Sequence, residues 1–245
     1  MTTMHTRPAS TTRGTGRCSS CAARHAGICA AIDEHDLERL VPFAVSMAVP
    51  AGRTFITEGD RAEHFFTITA GTAKLFKLLP DGRRQITGFA AIGTFLGLAV
   101  SSSYAFNAEA AEDSRVCRFS RLRLRNLIDD FPAMERRLLD MAANELVAAQ
   151  EQLLLLGRKS ARERVASFLL ARGSGLASRT SASVSDHVAL PMARTDIADY
   201  LGLAVETISR TMTRLRSERF IEMPSPTEIV LRNHGGLEAL AAGMG

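Results

Sequence analysis

The chain has 245 residues, 46% of them hydrophobic, and is long enough to bury one or two cores. It contains neither an apolar run long enough to span a bilayer nor the continuous apolar core of a secretion signal. We therefore expect no membrane partner and a cytoplasmic protein, in which thiols stay reduced. The formal net charge of +4 is uneven, because residues 157–219 contain eleven Lys or Arg against six Asp or Glu. A local surplus of positive charge favours a partner made of phosphates.

The N-terminal segment contains three of the four cysteines of the chain. Residues 1–17 are rich in Thr, Ser, Arg and Gly and are predicted to be disordered. Cys18, Cys21 and Cys29 follow in C-x2-C-x7-C spacing over the segment 18–31, and Cys117 stands alone far along the chain. An isolated cysteine is often a buried small hydrophobe, but clustered thiolates can converge on one metal centre, which a distant fourth closes. Zinc and a [4Fe–4S] cluster both accept four thiolates, and spacing alone does not separate them.

Short extended segments alternate with turn signals between Val49 and Phe119. Glycine-containing turns recur at intervals of about ten residues, which is typical of an antiparallel β-roll or barrel. We therefore predict a β-roll over residues 32–131. The segments between the turns are rich in β-branched and aromatic residues: Thr54–Thr57, Phe65–Thr69, Ala73–Leu79 and Gln85–Ala90.

A long helix is predicted to follow, from Pro132 to about Leu156, with Gly157 ending it. Its apolar residues repeat in alternating steps of three and four, as in the a/d seam that a parallel partner helix would bury. The alternative is a single amphipathic helix that lies on the β-roll. Small alanines at two seam positions favour close helix–helix contact, so the segment 132–159 is predicted to dimerise the protein. The seam consists of Leu139, Ala142, Leu146, Ala149, Leu153 and Leu156.

The segment 160–245 is predicted to form a winged helix-turn-helix domain. Ser160 and Glu163 match a capping box, which indicates a helix that ends at Arg172. The elements predicted after this helix are a loop over 173–185, a strand over 184–190, two helices over 195–220 and a hairpin-like wing formed by 221–223 and 228–231.

The two helices within Thr195–Phe220 carry the strongest functional pattern. An apolar stripe with the small Ala198 defines the first helix, and Gly202 ends it, since glycine takes a left-handed conformation without strain. The second helix has its own apolar stripe, which consists of Val205, Ile208, Met212 and Leu215. The alternative is an ordinary pair of core helices, but the small residue, the turn glycine and a polar second helix favour a helix-turn-helix. Polar groups at the start of the second helix suit base edges in the DNA major groove. They are Glu206, Ser209, Arg210 and, further on, Arg214.

The motif YLGLAVETISR resembles the DNA-reading motif of the Fnr branch of the Crp/Fnr superfamily of bacterial transcription regulators. In that branch a Glu, a Ser and an Arg read a TTGAT-type half-site, and Glu206, Ser209 and Arg210 match them. The resemblance extends from the first cysteine to about Ile229. It implies an α+β fold with a cyclic-nucleotide-binding-type β-roll, and a homodimeric activator, not an enzyme, that binds a palindromic TTGAT-N4-ATCAA site. Thr207 and Arg216 are the further candidates for DNA contact, Arg216 at a phosphate.

The resemblance also separates the metal alternatives. Fnr-type oxygen sensors carry an N-terminal cysteine trio and one central cysteine, and Cys117 in EDSRVCRF is similar to the central one. The wide gap between Cys21 and Cys29 is similar to that of the FnrN-like subgroup. The resemblance thus implies an oxygen-labile [4Fe–4S] cluster on Cys18, Cys21, Cys29 and Cys117. The alternatives are a DNA-binding regulator with structural zinc or another effector, and an iron–sulfur electron-transfer protein, which needs no helix-turn-helix.

Two further expectations rest on the same resemblance. The segment from Gln85 to Phe89 is similar to a family surface that touches RNA polymerase, and the contact is expected at Ile86, Thr87, Gly88 and Phe89. Cyclic-AMP-binding members place a Gly-Glu-Leu and an Arg at their ligand. Here Leu98 stands in place of the glutamate and no arginine follows until Arg115, so we expect no cyclic nucleotide.

Overall fold

The computed structural model describes residues 18–98, 102–174 and 186–244. The tail over 1–17 and most of the loop predicted over 173–185 lie outside these residues. The chain divides into two compact units, the first with residues up to 73 and 90–141, the second with residues 74–89 and 142 onward. Among the described residues, no helix combines the length and apolar character that crossing a membrane requires.

Strands dominate the first half of the described chain and helices the second. The strands are β1 (Ala44–Val49), β2 (Thr54–Ile56), β3 (His64–Ala70), β4 (Ala73–Leu78), β5 (Arg84–Ala90), β6 (Phe95–Leu96), β7 (Asn107–Ala110), β8 (Ser114–Ser120), β9 (His187–Ala189), β10 (Ile221–Ser225) and β11 (Glu228–Leu231). The α-helices are α1 (Leu37–Leu40), α2 (Arg121–Asp130), α3 (Pro132–Arg158), α4 (Ala161–Gly173), α5 (Arg194–Leu201), α6 (Val205–Ser217) and α7 (His234–Ala241).

The first unit is built on an antiparallel sheet with the strand order β1-β8-β3-β6. In its register Cys117 of β8 lies opposite Ser46 of β1 on one side and Thr67 of β3 on the other. Because side chains alternate between the faces of a sheet, Cys117 and Thr67 lie on the same face as Phe65 and Phe119. This face carries the core that positions the cysteines.

The core of the first unit joins the sheet, the cysteine segment and the first turns of α3. Its fully buried members include Ile28 after the cysteine pair, Phe119 on β8 and Met134 on α3. Burial of each such side chain contributes about 1.5–3 kcal/mol. Three of the four cysteines pack at the edge of this core, together with further partly buried residues: Cys18, Cys29, Cys117, Phe43, Leu138 and Met141.

The second unit contains the β4–β5 hairpin, helices α4 to α7 and the small antiparallel sheet β10-β11-β9. The predicted capping box is confirmed, since the Ser160 side chain accepts from the Glu163 backbone and the Glu163 carboxylate accepts from the Ser160 backbone N–H. These elements confirm the predicted α+β class and the order of β-strands, long helix and winged helix-turn-helix.

The long helix ends two residues beyond the predicted end at about Leu156, because α3 continues through Gly157 to Arg158. Glycine within a helix costs only about 1 kcal/mol relative to alanine. The Arg164 guanidinium offsets this cost, since it donates to the carbonyl oxygens of Leu156 at 2.9 Å and Lys159 at 2.8 Å. Carbonyls at a helix end need such partners, and a side chain of α4 supplies them here.

Candidate DNA interface and cysteine site

The helix-turn-helix is formed by α5 and α6, with Gly202 between them as predicted. Gly202 has a φ of 61°, in the left-handed region. A Cβ atom at this position would lie 3.2 Å from Leu156 Cδ2 and 3.4 Å from Arg164 Nη1. The turn therefore requires glycine for its conformation and for its close approach to the end of α3.

The substitution Gly202→Ala tests both requirements. A residue with a Cβ in the left-handed region costs about 1–2 kcal/mol, and the contact with Leu156 adds to that cost. We expect a fall of about 1–2 kcal/mol in the free energy of unfolding, measured by urea denaturation, and weaker operator binding in a gel-shift assay. Gly157→Ala, in open space on α3, is the control and is expected to stabilise the helix. Equal stability of the Gly202→Ala and wild-type proteins would contradict the steric argument.

Helix α6 separates an apolar face from a polar one. Ile208, Met212 and Leu215 are buried, as the predicted stripe requires. Glu206, Ser209 and Arg210 are exposed and lie within one helical turn of each other, so they share a face near the start of the helix. That is the position from which a recognition helix reaches base edges.

The other predicted DNA contacts differ in exposure and in their present partners. The Ser209 hydroxyl donates to the Val205 carbonyl at 3.0 Å, so it must rotate to donate to a base. Thr207 is half-buried, whereas Arg216 is exposed near the C-terminal end of α6. Arg214 is committed to an ion pair with Glu218 at 2.8 Å. Arg210 and Arg216 are thus the arginines of α6 best placed to meet DNA.

Substitution of these two arginines is expected to change DNA binding in different ways. Arg210 is predicted to donate two hydrogen bonds to a guanine, which is worth about 1–3 kcal/mol of discrimination. Arg210→Ala should therefore weaken operator binding and flatten the preference at one base pair of each half-site. Arg216→Ala should weaken all sequences alike and reduce the salt dependence of binding. Binding curves with operator variants measure both effects, and equal loss of specificity in the two variants would contradict the assignment.

Helix α5 is held by a buried cluster of charges that the sequence did not indicate. Asp196, which is 4% exposed, accepts from Lys74 at 3.0 Å and from Arg84 at 2.7 Å. Arg84 also donates to Asp199 at 2.9 Å, and the second Asp196 oxygen accepts from the Ala193 backbone N–H at 3.1 Å. Paired charges of this kind fix the orientation of the helices they join.

The segment predicted to touch RNA polymerase lies on β5, and its members differ in accessibility. Ile86 and Phe89 are buried, and Phe89 packs on Tyr200 with ring centroids 5.3 Å apart. The Gln85 amide donates to the Asp199 carbonyl at 2.7 Å. Thr87 is exposed, and Gly88 is half-buried. A polymerase contact stays a prediction, and in this conformation Thr87 is the most accessible of the four residues assigned to it.

The fold brings the four cysteines together in the first unit. All four are free thiols and half-buried. The pKa of Cys117 is raised, first by burial and then by the proximity of Cys29, Cys18 and Cys21, so the distant cysteine and the N-terminal trio are neighbours. Burial also raises the pKa of Cys29 to about 12, with Cys18 and Cys21 acting in the same direction. The thiols of Cys29 and Cys117 are therefore protonated at neutral pH, and a cationic group that bound them would release protons.

A buried arginine holds the backbone of the cysteine segment. Arg24 is 8% exposed, and its guanidinium donates to the carbonyl oxygens of Cys29 and Ile32, the latter at 2.5 Å. The positive charge of Arg24 lowers the pKa values of Cys18 and Cys29 and so opposes the effect of burial. A cation among buried thiols favours their thiolate form, which is the form that binds iron or zinc.

The tip of the cysteine segment is fixed from two sides. Arg137 of α3 donates to the Ala26 carbonyl at 2.9 Å. On the other side, a Cβ atom on Gly93 would lie only 2.5 Å from the Ala26 Cβ, so the segment packs directly against the backbone of Gly93. The φ of Gly93 is 90°, a conformation that favours glycine. The segment is thus anchored to both the sheet region and α3.

The four cysteines have the chemistry needed to bind a metal group through thiolates, although their side chains do not surround a single point. Among the described residues, no three His, Cys, Asp or Glu side chains converge on a point that could hold a single metal ion. A buried hydroxyl beside Cys117, that of Thr67, has no hydrogen-bond partner. Four neighbouring thiols, a nearby guanidinium and an unpaired donor are the features expected around a group with negatively charged sulfur ligands.

The seam predicted on α3 is exposed along most of its length in the single chain. Leu139 is 65% exposed, Leu146 61% and Leu153 72%, and both seam alanines are also exposed. Leu156 differs, because it is half-buried beside Gly202. Large exposed leucines on one helix face indicate a surface that a partner covers.

Comparison with known proteins agrees with this architecture. Residues 47–131 match the cyclic nucleotide-binding domain and residues 163–240 match the Crp-like helix-turn-helix domain. The nitrogen fixation regulation protein FixK of Bradyrhizobium diazoefficiens is 40% identical over 225 residues, which cover 92% of this chain and 94% of that protein. The transcriptional activator protein FnrL of Cereibacter sphaeroides is 33% identical over 90% of each chain.

A solved structure extends the match to three dimensions. The structure of FixK2 from Bradyrhizobium japonicum has a TM-score of 0.74 and 36% identity, over 80% of this chain and 96% of that one. The fold and the recognition helix define a DNA-binding transcription regulator with an N-terminal β-sheet domain of the cyclic nucleotide-binding type. The chain belongs to the Crp/Fnr family, whose members regulate transcription, bind DNA as dimers and are not enzymes.

Proposed function

We propose that this protein is an oxygen-responsive homodimeric activator that binds a palindromic TTGAT-N4-ATCAA site while it holds a [4Fe–4S] cluster. The observation that carries the proposal is the placement of Cys18, Cys21, Cys29 and Cys117. The fold makes neighbours of a cysteine in the middle of a sheet and three from the N-terminal segment, on a core that α3 shares.

The four thiolates would hold the cluster, which, when bound, supplies an oxygen-labile iron–sulfur centre. The protein contributes the environment of that centre. Burial by the sheet and α3 limits access of solvent, and Arg24 supplies positive charge close to Cys18 and Cys29. Reduction potential and stability of such clusters depend on these same factors of charge and exposure.

The path from the cysteines to the dimer helix is short. Arg137 and Met134 both lie in the first turns of α3, and they contact the cysteine segment and its core. An ordered cysteine segment therefore stabilises the start of α3. If the segment became disordered, α3 would lose the hydrogen bond from Arg137 to Ala26 and part of its buried apolar surface. A switch needs an element whose two states are close in free energy, and the partly supported helix α3 is that element here.

The exposed seam on α3 supports the homodimer, and the dimer determines the operator. Two copies of α6 related by two-fold symmetry would enter successive major grooves about one helical turn apart. A palindromic site with a four-base spacer, as in TTGAT-N4-ATCAA, has the matching symmetry. The sequence match of Glu206, Ser209 and Arg210 supports the half-site. RNA polymerase is the further partner proposed for an activator, with Thr87 as its most accessible contact.

The second candidate keeps DNA binding and gives the four thiols a structural zinc ion. The same free cysteines favour it, because zinc binds four thiolates in structural sites. An iron–sulfur electron-transfer protein is disfavoured, since the chain carries a complete helix-turn-helix with an exposed polar face. We also propose that no cyclic nucleotide regulates the protein, because Leu98, 40% exposed, stands where cyclic-AMP-binding members have a glutamate.

One anaerobic preparation separates these functions. The [4Fe–4S] proposal expects a brown protein that contains iron and acid-labile sulfide, binds the palindrome, and loses both its colour and its operator binding in air. A colourless protein that contains zinc and binds the operator equally in air and without oxygen would support the second candidate. An operator with one half-site scrambled is the control for specific binding, which a dimer on a palindrome should lose.

A further inference from the structure

The side-chain hydroxyl of Thr67 is a buried donor without a partner. Thr67 lies in the middle of β3 and is 2% exposed, and its Oγ1 atom makes no hydrogen bond. An unpaired buried hydroxyl destabilises the folded chain, which is why such groups are rare in native proteins. A buried hydroxyl at this position is explained if its hydrogen-bond partner is present only in the functional state.

The position of Thr67 limits what that partner can be. In the antiparallel pairing of β3 with β8, Thr67 lies directly opposite Cys117, so the two Cβ atoms share one face of the sheet and are close neighbours. On its other side Thr67 meets the cysteine segment, because a Cβ atom on Gly27 would lie 3.2 Å from Thr67 Cγ2. The hydroxyl thus sits between Cys117 and the segment that carries the other three cysteines.

We propose that the Thr67 hydroxyl donates a hydrogen bond to a sulfur of the metal centre held by Cys117 and the N-terminal cysteines. The inference rests on the proposed function, since it requires a thiolate-bound centre at this site. A thiolate or a sulfide of a cluster is a far better acceptor than a neutral thiol, so the hydroxyl gains its partner when the centre is loaded. Thr67 is then a positioning residue that holds Cys117 and tunes the centre.

This role predicts opposite effects in the empty and the loaded protein. Thr67→Val replaces the hydroxyl with a methyl group of nearly the same size. In the metal-free protein it removes an unpaired buried donor, so we expect a higher thermal midpoint. In the loaded protein it removes a hydrogen bond to sulfur, so we expect iron to pass to an anaerobic chelator about tenfold faster. The reduction potential should also fall, because a donor at sulfur stabilises the extra negative charge of the reduced cluster.

Thr67→Ser is the matched control, because it keeps the hydroxyl and loses the methyl group that meets Gly27. The cavity should lower the thermal midpoint of the metal-free serine variant. Its loaded form should release iron at nearly the wild-type rate and keep the wild-type potential. If Thr67 served only packing, Thr67→Val would not both stabilise the metal-free protein and weaken the metal centre of the loaded protein.

Three outcomes would overturn the inference, and they are distinguishable. If iron release and potential of Thr67→Val equal those of the wild type, the hydroxyl does not touch a sulfur and the proposed function stands. If the wild-type protein holds zinc instead, the same comparison of zinc release decides the role of Thr67, and equal rates overturn it. A wild-type protein that takes up neither iron with sulfide nor zinc without oxygen rejects both the metal centre and the hydrogen bond to it.

Discussion

The Cys117→Ser protein, purified without oxygen, is expected to lose most of its brown absorption together with its regulated operator binding. Cys117 is the proposed ligand on the sheet, and its register neighbours Thr67 and Ser46 carry no thiol to replace it. A serine hydroxyl is deprotonated far less readily than a thiol, so the centre would be left with three thiolates. The loss should exceed the roughly 10–100-fold that follows removal of a hydrogen-bond partner of a ligand.

The effect must come from the missing ligand and not from a damaged sheet. Ser46→Ala is the matched control, since Ser46 lies opposite Cys117 on β1 and the substitution leaves all four thiols in place. This variant should keep the iron, sulfide and absorption spectrum of the wild type. Circular dichroism of both metal-free variants checks that the sheet is intact. A stable cluster with full iron and sulfide content in Cys117→Ser would show that the fourth ligand is another group.

The DNA-reading half of the protein could be predicted from sequence because its signals are local. The left-handed turn at Gly202, the apolar stripe with Ile208 and the capping box at Ser160 each depend on residues within one or two helical turns. The end of α3 was predicted less well. Helix α3 continues through Gly157 to Arg158, and Arg164 of the following helix donates to the Leu156 carbonyl near this end.

The surroundings of the candidate sites could not be predicted, because their members meet only in the folded chain. Thr67 and Cys117 are neighbours through strand register, and no spacing in the sequence encodes that register. Asp196 occupies a position typical of helix N-terminal turns, but its partners Lys74 and Arg84 lie on a hairpin far upstream. Helices α2 and α7 were also not predicted. Only Arg24 could have been noticed from the sequence as part of the cysteine site, because it lies between Cys21 and Cys29.

The Ala149→Asp protein is expected to become largely monomeric and to lose most of its operator affinity, even when its cysteine site is loaded. Ala149 is exposed in the middle of the seam, and in a parallel dimer the two copies would face each other. Two carboxylates there would lie close together in a partly dry contact, at a cost of about 1–4 kcal/mol. The single chain itself should tolerate the change, since aspartate on an exposed helix face costs about 0.7 kcal/mol or less relative to alanine.

The neighbouring residue supplies the control for this last effect. Ala148 is also exposed, but it lies outside the a/d seam, so Ala148→Asp adds the same charge and the same loss of helix propensity on another face. Sedimentation of anaerobic samples, with iron content measured in each, should show dimers for wild type and Ala148→Asp and monomers for Ala149→Asp. Operator affinity should follow the same order, because a monomer presents one recognition helix to a site with two halves. A dimeric Ala149→Asp protein with wild-type affinity would place the dimer contact on a different face of α3 and remove the proposed link between the cysteines and DNA.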